Sequence, residues 1–252
     1  MIDTHCHLYS KEFVDDIEIV MERAVNAGIQ RFFMPAIDSS TTDAMLAIED
    51  RYPQTLSMMG LHPCSVEENY EEELLHVKHW LTKRKFAAIG EIGLDFFWDK
   101  TFKDQQYMVF RKQIEFALEL TLPIVLHSRN ATMETISVVN EFKETGLKGI
   151  FHCFGGTVGE AQEIIAAGFL LGIGGVVTYK NAGLAEVLKD IDMKHLVLET
   201  DAPYLAPAPF RGKRNESSYL VHIANKIAET KNISLEKVIE ITSENALGLF
   251  SL

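Results

Sequence analysis

The chain has 252 residues, 47% of them hydrophobic, enough to bury roughly 70 to 75% of the surface its unfolded form would expose and to build one substantial core. With 24 Lys and Arg against 36 Asp and Glu, a formal net charge of -12 excludes a broad basic surface holding a polyanion by counterion release, so any nucleic-acid substrate must be gripped locally. Three cysteines with no CxxC pair exclude a disulfide framework and point to the reducing cytoplasm, and no signal peptide or membrane span is expected, since the most apolar run, 169–177, is broken by Gly172, Gly174 and Gly175.

Short β-rich apolar runs begin near Ile2, Gln30, Thr55, Phe86, Leu122, Leu147, Gly168 and His195. Between them lie segments of helical period, of which 13–27, 68–83, 103–120 and 131–145 are long enough for crossover helices. In the third, Phe110, Ile114, Ala117 and Leu118 form one buried stripe. Gly28, Gly146 and Gly168 stand at helix-to-strand junctions, where a left-handed residue ends a helix. After the eighth run, 217–230 and 235–249 read as helices, the second opened by Ser234 as N-cap. Eight such units without an internal linker predict one domain over residues 1–252, a (β/α)8 TIM barrel with an additional C-terminal helix. No GxGxxG follows the first run, which removes the dinucleotide-binding open sheet.

In such a barrel the functional side chains stand at the C-terminal ends of the strands. His5 and His7 are two apart, so on a strand both face the mouth while Thr4 and Cys6 face the helices. Glu91 interrupts an apolar strand flanked by Gly90 and Gly93; His127 closes the run 122–126, His152 the run 148–151, and Asp201 ends the last run. Taken singly, each has an ordinary alternative: a hydrogen-bonded core histidine, or a carboxylate paired with a neighbouring base. Taken together, several strand ends finishing in ligand types have one common cause. Four imidazoles and two carboxylates exceed what one tetrahedral zinc uses, which predicts two divalent ions, Zn, Mn or Mg, with Glu91 able to bridge them.

On these residues the chain resembles the TatD family of metal-dependent deoxyribonucleases, within the amidohydrolase-like barrels. The resemblance spans nearly the whole length and is carried by Asp3-Thr4-His5-Cys6-His7, Gly90-Glu91-Ile92-Gly93-Leu94-Asp95, His127-Ser128-Arg129, His152-Cys153-Phe154-Gly155-Gly156, Glu199-Thr200-Asp201-Ala202-Pro203-Tyr204 and Arg211-Gly212-Lys213-Arg214-Asn215-Glu216. It implies that His5, His7, Glu91, His127, His152 and Asp201 are the metal ligands and that the reaction is hydrolysis of DNA from the 3′ end. Ser217 and Ser218 stand where relatives continue with Pro-Ala, which bears on a loop and removes no ligand.

Glu91 and Asp201 are the candidate catalytic carboxylates, Asp201 as the group that orients water and takes its proton. Candidate substrate contacts are His62, Asp95, Phe97, Arg129 and Arg214: guanidinium forks suit phosphate oxygens, and a ring such as Phe97 in the run 96–98 can stack on a base or pack beneath its loop. Asp3 is expected behind the histidines as a supporting carboxylate. The expected substrate is DNA, single-stranded by preference because a narrow mouth admits one strand more easily than two, with no membrane and no obligate protein partner. Two other classes compete: an ester or amide hydrolase on the same metals, such as a deacylase of mischarged tRNA, and a noncatalytic metal-binding protein.

Overall fold

The computed structural model describes residues 1–251; Leu252, the last residue of the expected domain, lies outside the described residues. Its first half runs β1 (Ile2–Asp3), α1 (Ile17–Asn26), β2 (Arg31–Pro35), α2 (Thr42–Arg51), β3 (Thr55–Met58), α3 (Tyr70–Lys83), β4 (Ile89–Asp95) and α4 (Lys103–Leu120). The second half runs β5 (Ile124–Arg129), α5 (Thr132–Asn140), β6 (Gly149–Phe151), α6 (Val158–Ala166), β7 (Phe169–Ile173), α7 (Leu184–Lys189), β8 (Leu196–Leu198), α8 (Leu220–Lys231) and α9 (Leu235–Phe250). The eight expected strands are all present. The helix expected over 131–145 is shorter, because it stops at Asn140 and a separate 3-10 turn over Lys143–Thr145 leads into Gly146.

All strand pairs are parallel, in two runs, β1-β2-β3 and β4-β5-β6-β7-β8. Single parallel bridges close the ring: Met59 with Ile89 between β3 and β4, and Cys6 with Ala202 between the extensions of β1 and β8. The Thr4 amide adds a bond to the Leu198 carbonyl at 3.0 Å. The result is a (β/α)8 barrel with α9 as the additional helix. Among the described residues, no helix is long and apolar enough to cross a membrane.

The barrel interior is a layer with a residue from nearly every strand: Ile2, Phe33, Met58, Ala88, Val125, Ile150 and Val197 pack together. From below, α9 inserts Ala246 and Phe250 into this layer, and the Phe250 ring stacks on Phe33 with centroids 3.8 Å apart. Outside, the expected stripe of α4 is buried at Phe110, Ile114 and Ala117. Gly28, Gly146 and Gly168 take φ of +89°, +78° and +91°, the left-handed geometry their positions call for.

This interior layer sets which later residues face the mouth. Side chains alternate along a strand, so a step of two carries Val125 to His127, Ile150 to His152 and Val197 to Glu199; Asp201 lies beyond the end of β8, at φ +57°. Two strands break that count. Steps of two from Ile2 and Ala88 would bring Thr4 and Gly90 inward, but β1 ends at Asp3 with a bend through Thr4 and His5, and the β4–β5 register shifts between Ile89 and Ile92. Each irregularity advances the phase by one residue, as a bulge does, and turns His5, His7 and Glu91 to the mouth. The expectation that His5 and His7 share a regular strand is therefore corrected: they share a direction, beyond the strand's end.

Candidate metal centre

The six expected ligands meet at the C-terminal rim. Glu91, 3% exposed, is the hub. Its Oε2 lies 3.1 Å from His5 Nε2 and 3.9 Å from His7 Nε2; its Oε1 lies 2.9 Å from His127 Nδ1 and 3.0 Å from His152 Nε2. Asp201 Oδ1 closes the first group, 3.5 Å from His7 Nε2 and 3.8 Å from His5 Nε2. His5 and His7 point their Nε2 atoms at each other across 3.3 Å. Donor atoms that share one ion at about 2.0 to 2.2 Å sit about 3 to 3.5 Å apart at tetrahedral or octahedral angles. The spacings here, 2.9 to 3.9 Å, suit that use. Glu91 joins two of the possible donor groups, His5–His7–Glu91 and Glu91–His127–His152, while His5–His152–Asp201 and His62–Cys64–His127 are also close enough to share an ion.

Around them stands a supporting layer that sequence reasoning only partly found. Asp95 is buried and accepts from His127 Nε2 at 2.8 Å with Oδ2, while its Oδ1 accepts from the Phe97 and Trp98 amides at 2.9 and 3.2 Å. The expected substrate contact at Asp95 is thus corrected: both oxygens are engaged, and what the carboxylate does is fix the His127 ring with Nδ1 toward Glu91. Glu199 was missed. Fully buried, it receives His152 Nδ1 at 3.2 Å and the Cys153 amide at 2.5 Å through Oε1, and Gly172 makes room for it, since a Cβ there would lie 2.1 Å from Glu199 Oε2. Its place two residues after Val197, on the same face, was the available signal. Tyr9, also missed, lies 2.9 Å from His7 Nδ1 and donates to the Pro35 carbonyl at 2.6 Å. Asp3, expected behind the histidine rings, instead staples β1 to the end of β8 by accepting from the Thr200 amide at 2.9 Å and its hydroxyl at 2.6 Å.

The electrostatics are those of a cation-binding set. Burial alone would raise the Glu91 carboxyl, but His152, His5 and His62 hold it well below its ordinary value. Asp201 follows the same pattern: burial raises it, and His7, His152 and His5 bring it down. Burial disfavours a charged His152, yet Glu91 and Glu199 hold it well above the usual imidazole range; His5, with burial dominant, is lowered. Carboxylates thus stay ionised in a buried place only because positive charge surrounds them.

The rim holds the remaining candidates. His62 points Nε2 at Glu91 Oε1 from 3.5 Å while its Nδ1 accepts from the Cys64 amide at 3.0 Å. Of the aromatic run, Phe96 is buried, whereas Phe97 and Trp98 are exposed, and the Arg129 guanidinium lies over both, 3.8 and 5.1 Å from their centroids. Arg214 does not face the mouth. Its fork pairs with Asp16 at 2.8 and 2.6 Å and it donates to the Glu12 carbonyl, tying the loop after β8 to the start of α1; its expected phosphate contact is corrected to a structural one. Arg214→Ala is expected to cost under about 1 kcal/mol, as a partly exposed pair does, and to leave turnover intact. Because Arg214 holds the Asp16 carboxyl below its ordinary value, the wild-type advantage is full at neutral pH and disappears as pH falls through that lowered value; urea melts of both proteins across the acid range check this.

The chain and its fold have counterparts among known proteins. A family profile described as TatD related DNase matches residues 2–251. The uncharacterized metal-dependent hydrolase YabD of Bacillus subtilis is 40% identical over 253 residues, covering 100% of this chain and 99% of its own. The crystal structure of YjjV, a TatD homolog from Escherichia coli K12, superposes with a TM-score of 0.94 at 27% identity, over 100% of this chain and 98% of that one. A TatD family hydrolase from Entamoeba histolytica has the same fold, with a TM-score of 0.84 at 23% identity, covering 99% and 97% of the two chains.

Proposed function

Because this chain belongs to the TatD-related DNase family of metal-dependent hydrolases, we propose that it is a cytoplasmic phosphodiesterase that removes nucleotides from the 3′ end of DNA, single strands by preference. One domain over residues 1–252 does this without an obligate protein partner. His5, His7, Glu91 and Asp201 hold one divalent ion, and Glu91, His127 and His152 a second; Zn, Mn and Mg all suit this nitrogen and oxygen set. The observation that carries the proposal is Glu91, whose two oxygens are turned to two different pairs of imidazoles.

When bound, the ions supply positive charge that polarises a phosphoryl oxygen and brings the pKa of water toward neutrality. Asp201 has Oδ1 turned to His5 and His7, and Oδ2 holds the attacking water and takes its proton. His62 accepts at Nδ1, so its proton sits on Nε2 and faces Glu91 Oε1 at 3.5 Å, helping to hold that carboxylate beside the phosphate. Arg129 contacts a phosphate oxygen, and Phe97 offers a face to the terminal base.

The test is hydrolysis with Mg, Mn, Zn and Co in turn, on end-labelled single strands, duplexes and aminoacyl-tRNA. Single strands are expected to shorten from the 3′ end, faster than duplexes, in at least one metal. Cleavage of the aminoacyl ester with DNA untouched would transfer the site to an ester hydrolase. Melting temperatures raised by metal with no hydrolysis of any substrate would make it a binding protein only.

A further inference from the structure

Beside the ligand cluster, a cavity of 760 Å³ opens among the loops that follow β5, β6 and β7. His152 belongs to both places: its Nε2 is 3.0 Å from Glu91, and the residue also lines the cavity. This volume lies in the range of about 300 to 1,000 Å³ that holds whole small molecules, well beyond what a reacting phosphodiester alone requires. The wall offers the hydroxyl of Thr132 and the bare backbone of Gly155 and Gly183; a Cβ at Gly183 would meet nothing within 4 Å.

Arg129 stands on the edge shared by cavity and cluster. Arg23, Arg51, Arg84, Arg111 and Arg214 each have a carboxylate partner; Arg129, like Arg31 and Arg211, has no ion pair among the described residues, and it alone of these three lies on the wall of this cavity, held by the faces of Phe97 and Trp98. A guanidinium kept without an anion in so acidic a protein, and stiffened by two rings, is available to one from outside. Of the acids in the wall, Glu160 is turned back to cap α6, accepting from the Thr157 amide at 2.7 Å and its hydroxyl at 2.9 Å, and Glu134 is exposed at the margin.

We propose that this cavity is the subsite for the nucleotides adjoining the scissile bond, the polymer arm of a single strand, with Arg129 on the first phosphate beyond the reacting one. It presupposes the phosphodiesterase proposed above. It goes further in assigning the preference for polymer over small diester to the β5, β6 and β7 loops.

Ala182, exposed on the wall, is the place to test it. Wild type, Ala182→Trp and Ala182→Lys are compared on bis(p-nitrophenyl) phosphate, which reaches only the reacting centre, and on single strands of two, four and eight nucleotides. Wild-type KM is expected to fall with strand length. Ala182→Trp raises KM for the longest strand about tenfold to a hundredfold, the loss of one held nucleotide, and changes the small diester by less than about twofold; Ala182→Lys lowers KM for the long strand. Binding of the labelled octamer is followed by fluorescence anisotropy as salt is varied, with Arg129→Gln expected to flatten the log–log slope by about 0.7. KM independent of length, or Ala182→Trp slowing both substrates in proportion, overturns the subsite. If no diester is cleaved at all, the phosphodiesterase falls, and anisotropy still decides the cavity: octamer binding weakened by Ala182→Trp retains it, and octamer binding indifferent to Ala182→Trp removes it.

Discussion

Glu91→Gln is expected to leave a folded barrel that no longer holds two ions and hydrolyses DNA about a thousandfold more slowly or worse. The amide has the carboxylate's shape but only one acceptor oxygen, so it can face either the His5–His7 pair or the His127–His152 pair, never both as Glu91 does. The other pair meets an N–H group that repels a cation. Losing an ion that stabilises transition-state charge by several kcal/mol corresponds to a rate loss of about this size. Elemental analysis after dialysis should find fewer than two ions per chain, and kcat should fall at every metal concentration. Two retained ions with unchanged turnover would remove Glu91 from the centre of the site.

Asp201→Asn separates the proton from the metal. Asp201 sits at the edge of the first donor group, with Oδ1 3.5 Å from His7 and 3.8 Å from His5, and His5, His7 and Glu91 form a donor group without it. The asparagine keeps an oxygen for that group and loses the base. Hydrolysis is expected to drop by about 10² to 10⁴, the range of general acid–base catalysis, with the loss in kcat and little change in KM, the signature of an interaction made in the transition state. Metal content should stay near wild type, which sets this variant apart from Glu91→Gln. Turnover within a factor of two of wild type, with metal bound, would leave Asp201 a ligand and no more.

Much of the site was legible because strand periodicity is a local property. His127 and His152 stand one step of two beyond the inward residues Val125 and Ile150, so there the alternation that buries the core also aims the ligands, whereas Asp201 is turned in by its own left-handed conformation past the end of β8. For His5 and His7 the two-residue spacing gave the right shared direction on a wrong premise, and Glu91 was found by its chemistry, since the bend after Asp3 and the register shift in β4 are departures from regular strand that spacing does not encode. Arg214 was misjudged for a different reason. A basic loop after the last strand looks available to phosphate, and its partner Asp16 lies 198 positions away, where only the closed barrel brings it into reach. For Asp95 the sequence left two readings, orienting a ligand or meeting a substrate hydroxyl, and its burial and its bonds to His127 and to two backbone amides, which belong to the folded loop, favour the first. Glu199 and Tyr9 support ligand rings, and supporting roles show only when ring nitrogens can be matched to acceptors.

The plug that α9 drives into the underside of the barrel has a consequence for how the chain reaches its folded state. Phe33 lies in the second strand and Phe250 in the last helical turn, yet their rings stack face to face. Without α9 in place, the apolar floor formed by Ile2, Phe33, Met58 and their neighbours lacks its cover. Long-range pairing of this sort slows the search for native topology, so the floor is sealed only when distant parts of the chain have met. Phe250→Ala, which uncovers Phe33, is therefore expected to cost more stability than an alanine at an exposed helix position.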